Sequence, residues 1–213
     1  PPLPTDAPTP PPPDPAAARR AELIDRAIPL FARDGYAGVE VESIAAAAGC
    51  AKGTIYRYFE SKQDLFRACV DHVMAGLIDA TTSPEDLDPI DRIASGVRGY
   101  LAYFRANPAY IELLIQERAA FRDRERPTYY DYRAARRANS VPMIRGLIEE
   151  GRVRPMDPER AIGIIGDLLY GTIFTAYFAG RAAALDEQAD LILEVLFKGL
   201  LTPGEAAARE RHE

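Results

Sequence analysis

The stretch E-V-E-S-I-A-A-A-A-G-C-A-K-G-T-I-Y-R-Y-F-E-S-K, residues 40–62, contains two short helical patterns separated by a glycine. Gly49 stands where the first helix must end and the chain must reverse, and glycine adopts the left-handed conformation of such a turn without steric cost. A second helix is predicted from about Lys52, with Ile55 and Phe59 four residues apart and facing inward. The apolar face of the first helix consists of Ile44, Ala45 and Ala48.

The outward positions of the second helix carry hydrogen-bond donors and aromatic rings: Lys52, Thr54, Tyr56, Arg57 and Tyr58. Two helices joined by a glycine turn, the second rich in donors, form the helix-turn-helix pattern that enters a DNA major groove. The alternative is an ordinary helical hairpin within a bundle. Such a hairpin gives no reason for several exposed rings and cations on one short helix, so the pattern favours DNA binding.

The charge distribution alone would not identify a DNA-binding protein. The 213-residue chain has a formal net charge of -6. Residues 16–68 hold eight Lys or Arg and seven Asp or Glu, a net charge of +1, and residues 69–213 carry a net charge of -5. The acidity therefore lies outside the candidate DNA-binding segment, and the prediction rests on the motif.

The rest of the chain predicts an all-α protein. Residues 1–16 are rich in proline and predict a disordered tail, and residues 205–213 predict a flexible tail. Between them we expect a three-helix DNA-binding domain over residues 17–77, with its helix-turn-helix at about 40–59, and a helical bundle over residues 84–204. Pro29 and Pro142 are expected to bend their helices, whereas Asp88, Asn107 and Asp157, each followed by proline, predict helix starts.

The N-terminal third resembles the tetracycline-repressor (TetR-type) family. The resemblance covers about residues 17–77 and rests on Leu30-Phe31, Gly35-Tyr36, Ile44-Ala45, Ala48-Gly49, the unbroken run from Lys52 to Phe59, Ser61-Lys62 and Leu65-Phe66. Its length and constant spacing make it far more specific than a short motif. The resemblance implies a dimeric, usually repressing, DNA-binding protein that a small molecule in the C-terminal domain releases from palindromic double-stranded DNA.

The resemblance also implies roles for individual residues. Lys52, Gly53 and Thr54 fall where such proteins contact bases and the adjoining backbone, and Tyr56 and Tyr58 where a ring or hydroxyl meets the DNA. Lys62 falls where a lysine meets a phosphate. We add Arg57 and Glu42 to this set of expected DNA-binding residues. Glu42 falls where some members of the family place a base-reading arginine, and its carboxylate can either accept from cytosine N4 or lie outside the groove. The chain departs from the family at Glu40, which replaces the usual capping Ser or Thr, and at Cys50-Ala51, which replaces Val-Ser.

Residues 161–180 form an apolar helix that is long enough to span a bilayer, with Asp167 as its only charge. A membrane span is disfavoured because its flanks lack basic asymmetry and because Asp167 would be costly there. We expect instead that this helix and the last one form a two-fold four-helix interface. The predicted interface residues are Ile165, Leu169, Ile173, Leu191, Val195, Leu196 and Leu200.

The middle helices are rich in aromatic side chains, which are usually core residues. The alternative is an apolar pocket with a few polar groups for a small hydrophobic or amphipathic effector. The residues predicted for that pocket are Tyr103, Phe104, Gln116, Glu117, Tyr129, Phe174 and Tyr177. The arginines between residues 122 and 126 alternate with acids and favour a solvated, salt-bridged turn over an anion site.

The sequence favours a regulator over an enzyme. It has no nucleophile–base constellation and no phosphate-binding glycine loop, and two cysteines and two histidines offer no metal-ligand spacing, so no catalytic residue, metal or cofactor is expected. Without a signal-peptide pattern, we expect a cytoplasmic protein. The leading hypothesis is a repressor released by an effector. The alternatives are a DNA-binding regulator whose C-terminal domain only dimerises or binds proteins, and a helical enzyme or membrane-associated protein carrying a similar hairpin.

Overall fold

A computed structural model describes residues 14–122 and 126–199, and these residues form helices with no strand among them. The helices are α1 Pro15–Gly38, α2 Val41–Ala47, α3 Lys52–Tyr56, α4 Lys62–Thr81, α5 Pro89–Ala106, α6 Pro108–Ala120, α7 Thr128–Glu149, α8 Pro158–Phe178 and α9 Leu185–Lys198, with a short 3-10 helix at Ala182–Ala184. The all-α prediction is confirmed. The expected tails at residues 1–13 and 200–213 lie outside the described residues.

The chain divides into two compact units, residues 1–69 and 70–213. This division falls within α4, whereas the sequence placed the domain boundary between residues 77 and 84. The domain limits of 17–77 and 84–204 stay predictions.

The first unit has an apolar core to which one face of α1 contributes. Leu23, Ala27 and Phe31 are completely buried. The Phe31 ring meets Phe66 of α4 edge-to-face, with centroids 5.0 Å apart. Helical torsion angles continue through Pro29, and the break in α1 occurs at Gly35 (φ 77°), because glycine accepts the left-handed conformation. The kink at Gly35 was not predicted, and the bend expected at Pro29 stays a prediction.

Helix starts in the second unit are confirmed at all three predicted positions, since helices begin at Pro89, Pro108 and Pro158. Asp88 accepts from the Ile90 amide at 2.8 Å, and Asp157 accepts from the Glu159 amide at 2.9 Å. Asn107 is the N-cap residue of α6 without a side-chain cap bond, and its side-chain amide donates backwards to the Tyr103 carbonyl at 2.9 Å. Asn107 thus satisfies a carbonyl in the last turn of α5 rather than an amide of α6.

The second unit is a helical bundle in which α5 packs against α9 and α7 packs against α8. Arg98 bonds Asp190 at 3.0 Å and Arg105 bonds Asp186 at 2.9 Å, which ties α5 to α9. Between α7 and α8, Arg133 lies 2.6 Å from the Asp167 carboxylate. The last helix ends at Gly199 (φ 77°), earlier than expected from the apolar pattern.

Among the described helices, α8 is the one whose length and composition would allow it to cross a membrane. Its apolar residues are divided between two environments. Ile173 is completely buried in the unit, whereas Ile164 is 67% exposed and Phe178 is 71% exposed. One face of α8 therefore packs within the protomer, and an apolar face is left at the surface.

Candidate DNA-binding surface and effector cleft

The turn between α2 and α3 has the hydrogen bonds that a glycine C-cap requires. Gly49 has φ 62°, its amide donates to the Ala46 carbonyl at 3.1 Å, and the Cys50 amide donates to the Ala45 carbonyl at 2.9 Å. This pair of bonds is a Schellman motif, which closes the last turn of α2 and redirects the chain. The predicted role of Gly49 follows directly from this geometry.

Two buried side chains set the orientation of α3 in the first unit. Ile55 and Phe59 are each 1% exposed, as the sequence predicted. Because side chains four residues apart share a helix face, burial of this pair leaves the opposite face of α3 in solvent. That face presents Lys52, Gly53, Tyr56 and Arg57, while Thr54 and Tyr58 are half-buried at its edges.

Lys52 and Glu42 form an ion pair across the turn that the sequence did not predict. Lys52 Nζ lies 2.6 Å from Glu42 Oε1, and it is also 5.8 Å from the centroid of the Tyr56 ring. The hydrogen bond from Lys52 lowers the pKa of Glu42. The two predicted DNA contacts are therefore coupled, since Lys52 can reach a base or phosphate only by leaving or sharing the carboxylate.

Lys62, at the start of α4, contacts the C-terminal end of α1, just beyond the kink at Gly35. Its Nζ donates to the Ala37 carbonyl at 3.4 Å and lies 4.9 Å from the centroid of the Tyr36 ring. Arg57, by contrast, is exposed and has no ion pair within the described part of the chain. Arg57 is therefore the more accessible cation on this surface, and Lys62 has a structural contact besides its expected phosphate contact.

Cations of α1 also support the helix-turn-helix, a role that sequence reasoning missed. The Arg20 guanidinium lies 4.9 Å from the centroid of the Phe59 ring, and Arg19 donates to the Ala48 carbonyl at 3.3 Å. The available signal was the Arg19-Arg20 pair at the start of the first apolar pattern. Two capping positions contribute no side chain, since Glu40 and Ala51 make no side-chain cap to α2 or α3.

The N-terminus of α4 has a modified capping box. Ser61 Oγ accepts from the Asp64 amide at 3.1 Å, and the Asp64 carboxylate accepts from the Glu60 amide at 3.1 Å. A capping box normally returns to the cap residue itself. Here the shorter aspartate reaches the residue before it, which fixes the chain where α3 leads into α4.

The second unit contains an open cleft of about 470 Å³ between α5, α7 and α8. We call it the α5–α7–α8 cleft. Its lining residues are Thr81, Arg92, Ile93, Gly96, Val97, Tyr100, Arg126, Tyr129, Tyr130, Tyr132, Arg133, Ala134, Arg136, Arg137, Ser140, Met143, Ile162, Gly163, Ile165, Gly166 and Leu169. The volume is within the usual range for small-molecule sites.

Of the seven residues predicted for an effector pocket, Tyr129 lines this cleft. Three of the others serve the interior of the unit: Phe104 is completely buried, Tyr103 donates to the Val73 carbonyl at 2.8 Å, and Phe174 packs on Tyr170 with centroids 4.5 Å apart. These aromatic side chains act as core, the more common alternative.

The three polar residues of the predicted pocket bond to other residues of the second unit, Glu117 and Tyr177 between helices and Gln116 within α6. Glu117 is 2% exposed and accepts from the Thr128 amide and hydroxyl, so it caps α7. Gln116 and Tyr177 both donate to Glu112, at 3.2 and 2.9 Å. Six of the seven residues predicted for an effector pocket therefore do not line the α5–α7–α8 cleft.

Sequence reasoning also missed the arginines of the cleft. Arg133, Arg136 and Arg137 occupy one face of α7, at the spacing that brings helix positions together. That spacing was the available signal, but the same residues fit a solvated helix surface equally well.

The predicted dimer residues differ in exposure. Leu169 and Ile173 are 8% and 0% exposed and thus belong to the protomer core, and Ile165 lines the cleft. Leu191 is 54% exposed, Val195 and Leu196 are half-buried, and Leu200 lies outside the described residues. The large apolar residues that α8 and α9 expose are the predicted Leu191 and four residues that were not predicted, namely Ile164, Leu168, Phe178 and Phe197.

No group of three or more His, Cys, Asp or Glu side chains that could hold a metal ion occurs within residues 14–122 and 126–199. Both cysteines are free thiols. Cys69 is buried in the first unit, and this burial raises its pKa, so it is an inert core residue.

The three-helix first unit, with its glycine-capped turn and exposed α3, defines a helix-turn-helix DNA-binding protein. Residues 23–69 match the family described as bacterial regulatory proteins, tetR family. The HTH-type transcriptional repressor SCO4008 of Streptomyces coelicolor is 31% identical over 143 residues, which cover 66% of this chain and 70% of that protein. The regulator RutR of Escherichia coli is 26% identical over 154 residues, which cover 70% and 71%.

This chain belongs to the tetR family of bacterial regulatory proteins, and it is a DNA-binding transcriptional regulator. Solved structures share its fold. FadR from Bacillus subtilis, solved in complex with stearoyl-CoA, superimposes with a TM-score of 0.72 at 20% identity and covers 85% of this chain and 99% of its own. PfmR from Thermus thermophilus gives a TM-score of 0.68 at 21% identity, with 84% and 99% covered.

Proposed function

We propose that this protein is a cytoplasmic, dimeric repressor that leaves a palindromic operator when a small molecule occupies the α5–α7–α8 cleft. The observation that carries the proposal is the presence of two separate sites in one chain. The first unit exposes the donor-bearing face of α3, and the second contains an open cleft. Similarity to a protein named a repressor and to a structure solved with stearoyl-CoA supports this function.

The alternative regulator, which senses no small molecule, needs a second unit that only dimerises. A solid core would favour that alternative, and the cleft of about 470 Å³ favours effector binding instead. An enzyme is disfavoured, because the similar proteins are named as transcriptional regulators.

We place the dimer interface on the exposed faces of α8 and α9. Ile164, Leu168, Gly171, Thr175 and Phe178 follow one another at three- and four-residue steps, so they share one side of α8. Large exposed apolar patches on a protein of this size are typical of interaction surfaces. A two-fold axis through this face pairs two DNA-binding units, one from each protomer, and we call them the reading heads. Because the axis relates them, we expect a palindromic operator.

On the DNA-binding surface we assign Lys52 to a base edge and Arg57 and Lys62 to phosphates. Lysine can donate to guanine O6 and N7, whereas phosphate contacts position the protein without reading sequence. Lys52→Ala is expected to lower affinity for the preferred operator about ten- to hundredfold while relaxing preference at one base position. Binding to a randomised set of duplexes, measured by fluorescence anisotropy with sequencing of the bound fraction, tests this expectation.

Arg57→Ala and Lys62→Ala are expected to weaken binding to all sequences and to reduce the salt slope by about one unit each. Arg33→Ala is the control, since Arg33 is exposed on α1 and paired with its neighbour Asp34 at 2.6 Å. Equal, sequence-independent losses for Lys52→Ala and Arg57→Ala would contradict the division of roles. Thermal unfolding of Lys62→Ala must be measured alongside, because Lys62 also contacts Ala37.

Replacing Glu42 with glutamine is expected to tighten DNA binding about fivefold at low salt. The change removes a carboxylate that repels phosphates and frees Lys52 from its 2.6 Å partner. The gain should disappear as salt rises, because exposed charges are screened. Asp34→Asn, which neutralises the acid of another exposed ion pair, is the matched control and should leave affinity unchanged.

The function as a whole is tested by selecting bound sites from random duplex DNA with the full chain. We expect a palindrome whose half-site spacing reports the distance between the two reading heads. A selection that recovers no shared sequence would rule out operator recognition. A set of compounds that bind the chain without changing operator affinity would favour the alternative without effector release.

A further inference from the structure

The charged side chains lining the α5–α7–α8 cleft are all arginines. They are Arg92, Arg126, Arg133, Arg136 and Arg137, and no lysine, histidine, aspartate or glutamate lines the cleft among the described residues. This concentration of positive charge contrasts with the chain as a whole, whose net charge is -6. A cleft of one sign focuses the electrostatic field and attracts ligands of the opposite sign.

Carboxylates outside the cleft compensate only part of this charge. Arg133 is paired with Asp167 at 2.6 Å, Arg137 is paired with Glu159 at 2.7 Å, and Arg126 lies 4.0 Å from Asp131. These pairs hold the three guanidinium groups at the cleft wall. The charges of the other two arginines are not compensated in this way.

Arg92 and Arg136 have no carboxylate partner in the described part of the chain. Arg136 donates to the Thr81 carbonyl at 3.0 Å, a bond that holds one end of the guanidinium without neutralising it. A guanidinium has five N–H donors, so most donors of Arg136 stay available. The cleft therefore has an excess of about two positive charges and a surplus of donors.

The tyrosines add one more donor to the cleft. Tyr100 and Tyr129 share a hydrogen bond of 2.8 Å between their hydroxyls, and only one of the two protons can lie in that bond. Burial raises the pKa of both groups, so both stay protonated. The second hydroxyl proton has no acceptor among the described residues, although Tyr100 is 4% exposed. A buried donor of this kind can bond to a water or to an acceptor on a ligand.

The remaining lining is apolar. Ile93 and Val97 of α5 face Ile162 and Leu169 of α8 across the cleft, with Met143 from α7. Small-molecule sites commonly combine an apolar wall with a few polar groups that orient the ligand. A cleft lined by both arginines and apolar side chains suits a ligand with one anionic end and one apolar body.

We propose that the effector is an amphipathic organic anion, whose carboxylate or phosphate binds Arg92 and Arg136 and whose apolar body packs against α5 and α8. The proposal rests on the effector-released repressor proposed above, and it specifies the chemical class of that effector. A cationic ligand is excluded by the uncompensated arginines, and a neutral one leaves their charges without a partner.

The test compares three probes with the same ten-carbon body: decanoate, decan-1-ol and decyltrimethylammonium. Calorimetric titration of the full chain should show decanoate binding at least tenfold tighter than decan-1-ol, with no cation binding. Decanoyl-CoA and decyl phosphate, titrated in parallel, distinguish a carboxylate from a phosphate as the anionic group. Equal or tighter binding of decan-1-ol, or no binding of any of the three anions, would overturn the proposal.

The variant Arg92→Gln/Arg136→Gln should lose at least tenfold in affinity for the anions and leave decan-1-ol binding unchanged. Arg98→Gln is the matched control, because Arg98 is also on α5 but bonds Asp190 and does not line the cleft. Circular dichroism checks that both variants keep the helix content of the wild type. Equal losses for anion and alcohol in a folded double variant would count against charge recognition.

Operator binding separates this proposal from the function on which it rests. If the anions bind through Arg92 and Arg136 but do not release DNA, the anion site stands and effector release fails. If a neutral compound releases DNA while no anion binds, effector release stands and the anion site fails.

Discussion

Ile164→Glu/Leu168→Glu is expected to convert the proposed dimer into a folded monomer and to lower operator affinity about 10²- to 10⁴-fold. Both side chains are exposed in the protomer, at 67% and 39%, so the substitutions leave its core intact. In a dimer they would bury two carboxylates per protomer in an apolar interface, which is strongly unfavourable. Affinity falls because, in a dimer, binding of one DNA-binding unit raises the effective concentration of the second unit at its half-site. A monomer lacks this gain.

Sedimentation velocity at micromolar concentration and binding to full and half operators measure this effect. The monomer should bind a full operator and a half operator with similar affinity, whereas the wild type should strongly prefer the full site. Leu87→Glu is the matched control, since Leu87 is 37% exposed in the loop before α5 and lies off the α8 face. A double variant that stays dimeric would place the interface elsewhere.

Gly99→Ala is expected to lower the free energy of unfolding by about 1–3 kcal/mol. A methyl group on Gly99 would overlap the carbonyl oxygen of Ala80, a backbone atom near the end of α4. Relief requires α5 to move away from α4, and this loss exceeds the gain of up to about 1 kcal/mol that alanine brings to a helix. Because α5 forms one wall of the α5–α7–α8 cleft, the variant should also weaken binding of the ten-carbon anions.

Gly96→Ala provides the control for this prediction. Gly96 precedes Gly99 by three residues on α5, and a methyl group there would lie 3.8 Å from the Thr81 carbonyl oxygen, an ordinary contact. Its unfolding free energy should stay within about 1 kcal/mol of wild type, on the stabilising side. Urea unfolding followed by circular dichroism at a fixed protomer concentration compares the two variants, and equal stabilities would refute the close-approach explanation.

The helix-turn-helix was predictable because its determinants are local. The turn at Gly49 ends α2 through bonds from the Gly49 and Cys50 amides to carbonyls three and five residues earlier, and the Ile55 and Phe59 pair orients α3 by helical spacing alone. The ion pair between Lys52 and Glu42 was not predictable in the same way. It spans ten residues and depends on how α2 and α3 cross.

The sequence predicted a pocket among the middle helices, but the cleft in the structure is lined mostly by other residues. Aromatic residues along the middle helices suggested a pocket, yet Phe104 is buried in the core, the half-buried Tyr103 donates to the Val73 carbonyl, and Glu117 caps α7. In the sequence, a carboxylate such as that of Glu117 is a reasonable candidate for a ligand contact. Its burial against Thr128, eleven residues later, depends on the path of the chain between α6 and α7.

For this chain, local periodicity and glycine chemistry specify an all-α protein with a DNA-reading helix, because hydrogen bonds within a helix or turn involve near neighbours. The two surfaces proposed for dimerisation and effector binding depend on packing. On α8 nearly every position is apolar, so periodicity cannot tell that Leu169 and Ile173 turn inward while Ile164 and Leu168 face solvent. The same holds for Arg92 and Arg136, which share one cleft only because α5, α7 and α8 pack together from distant parts of the chain.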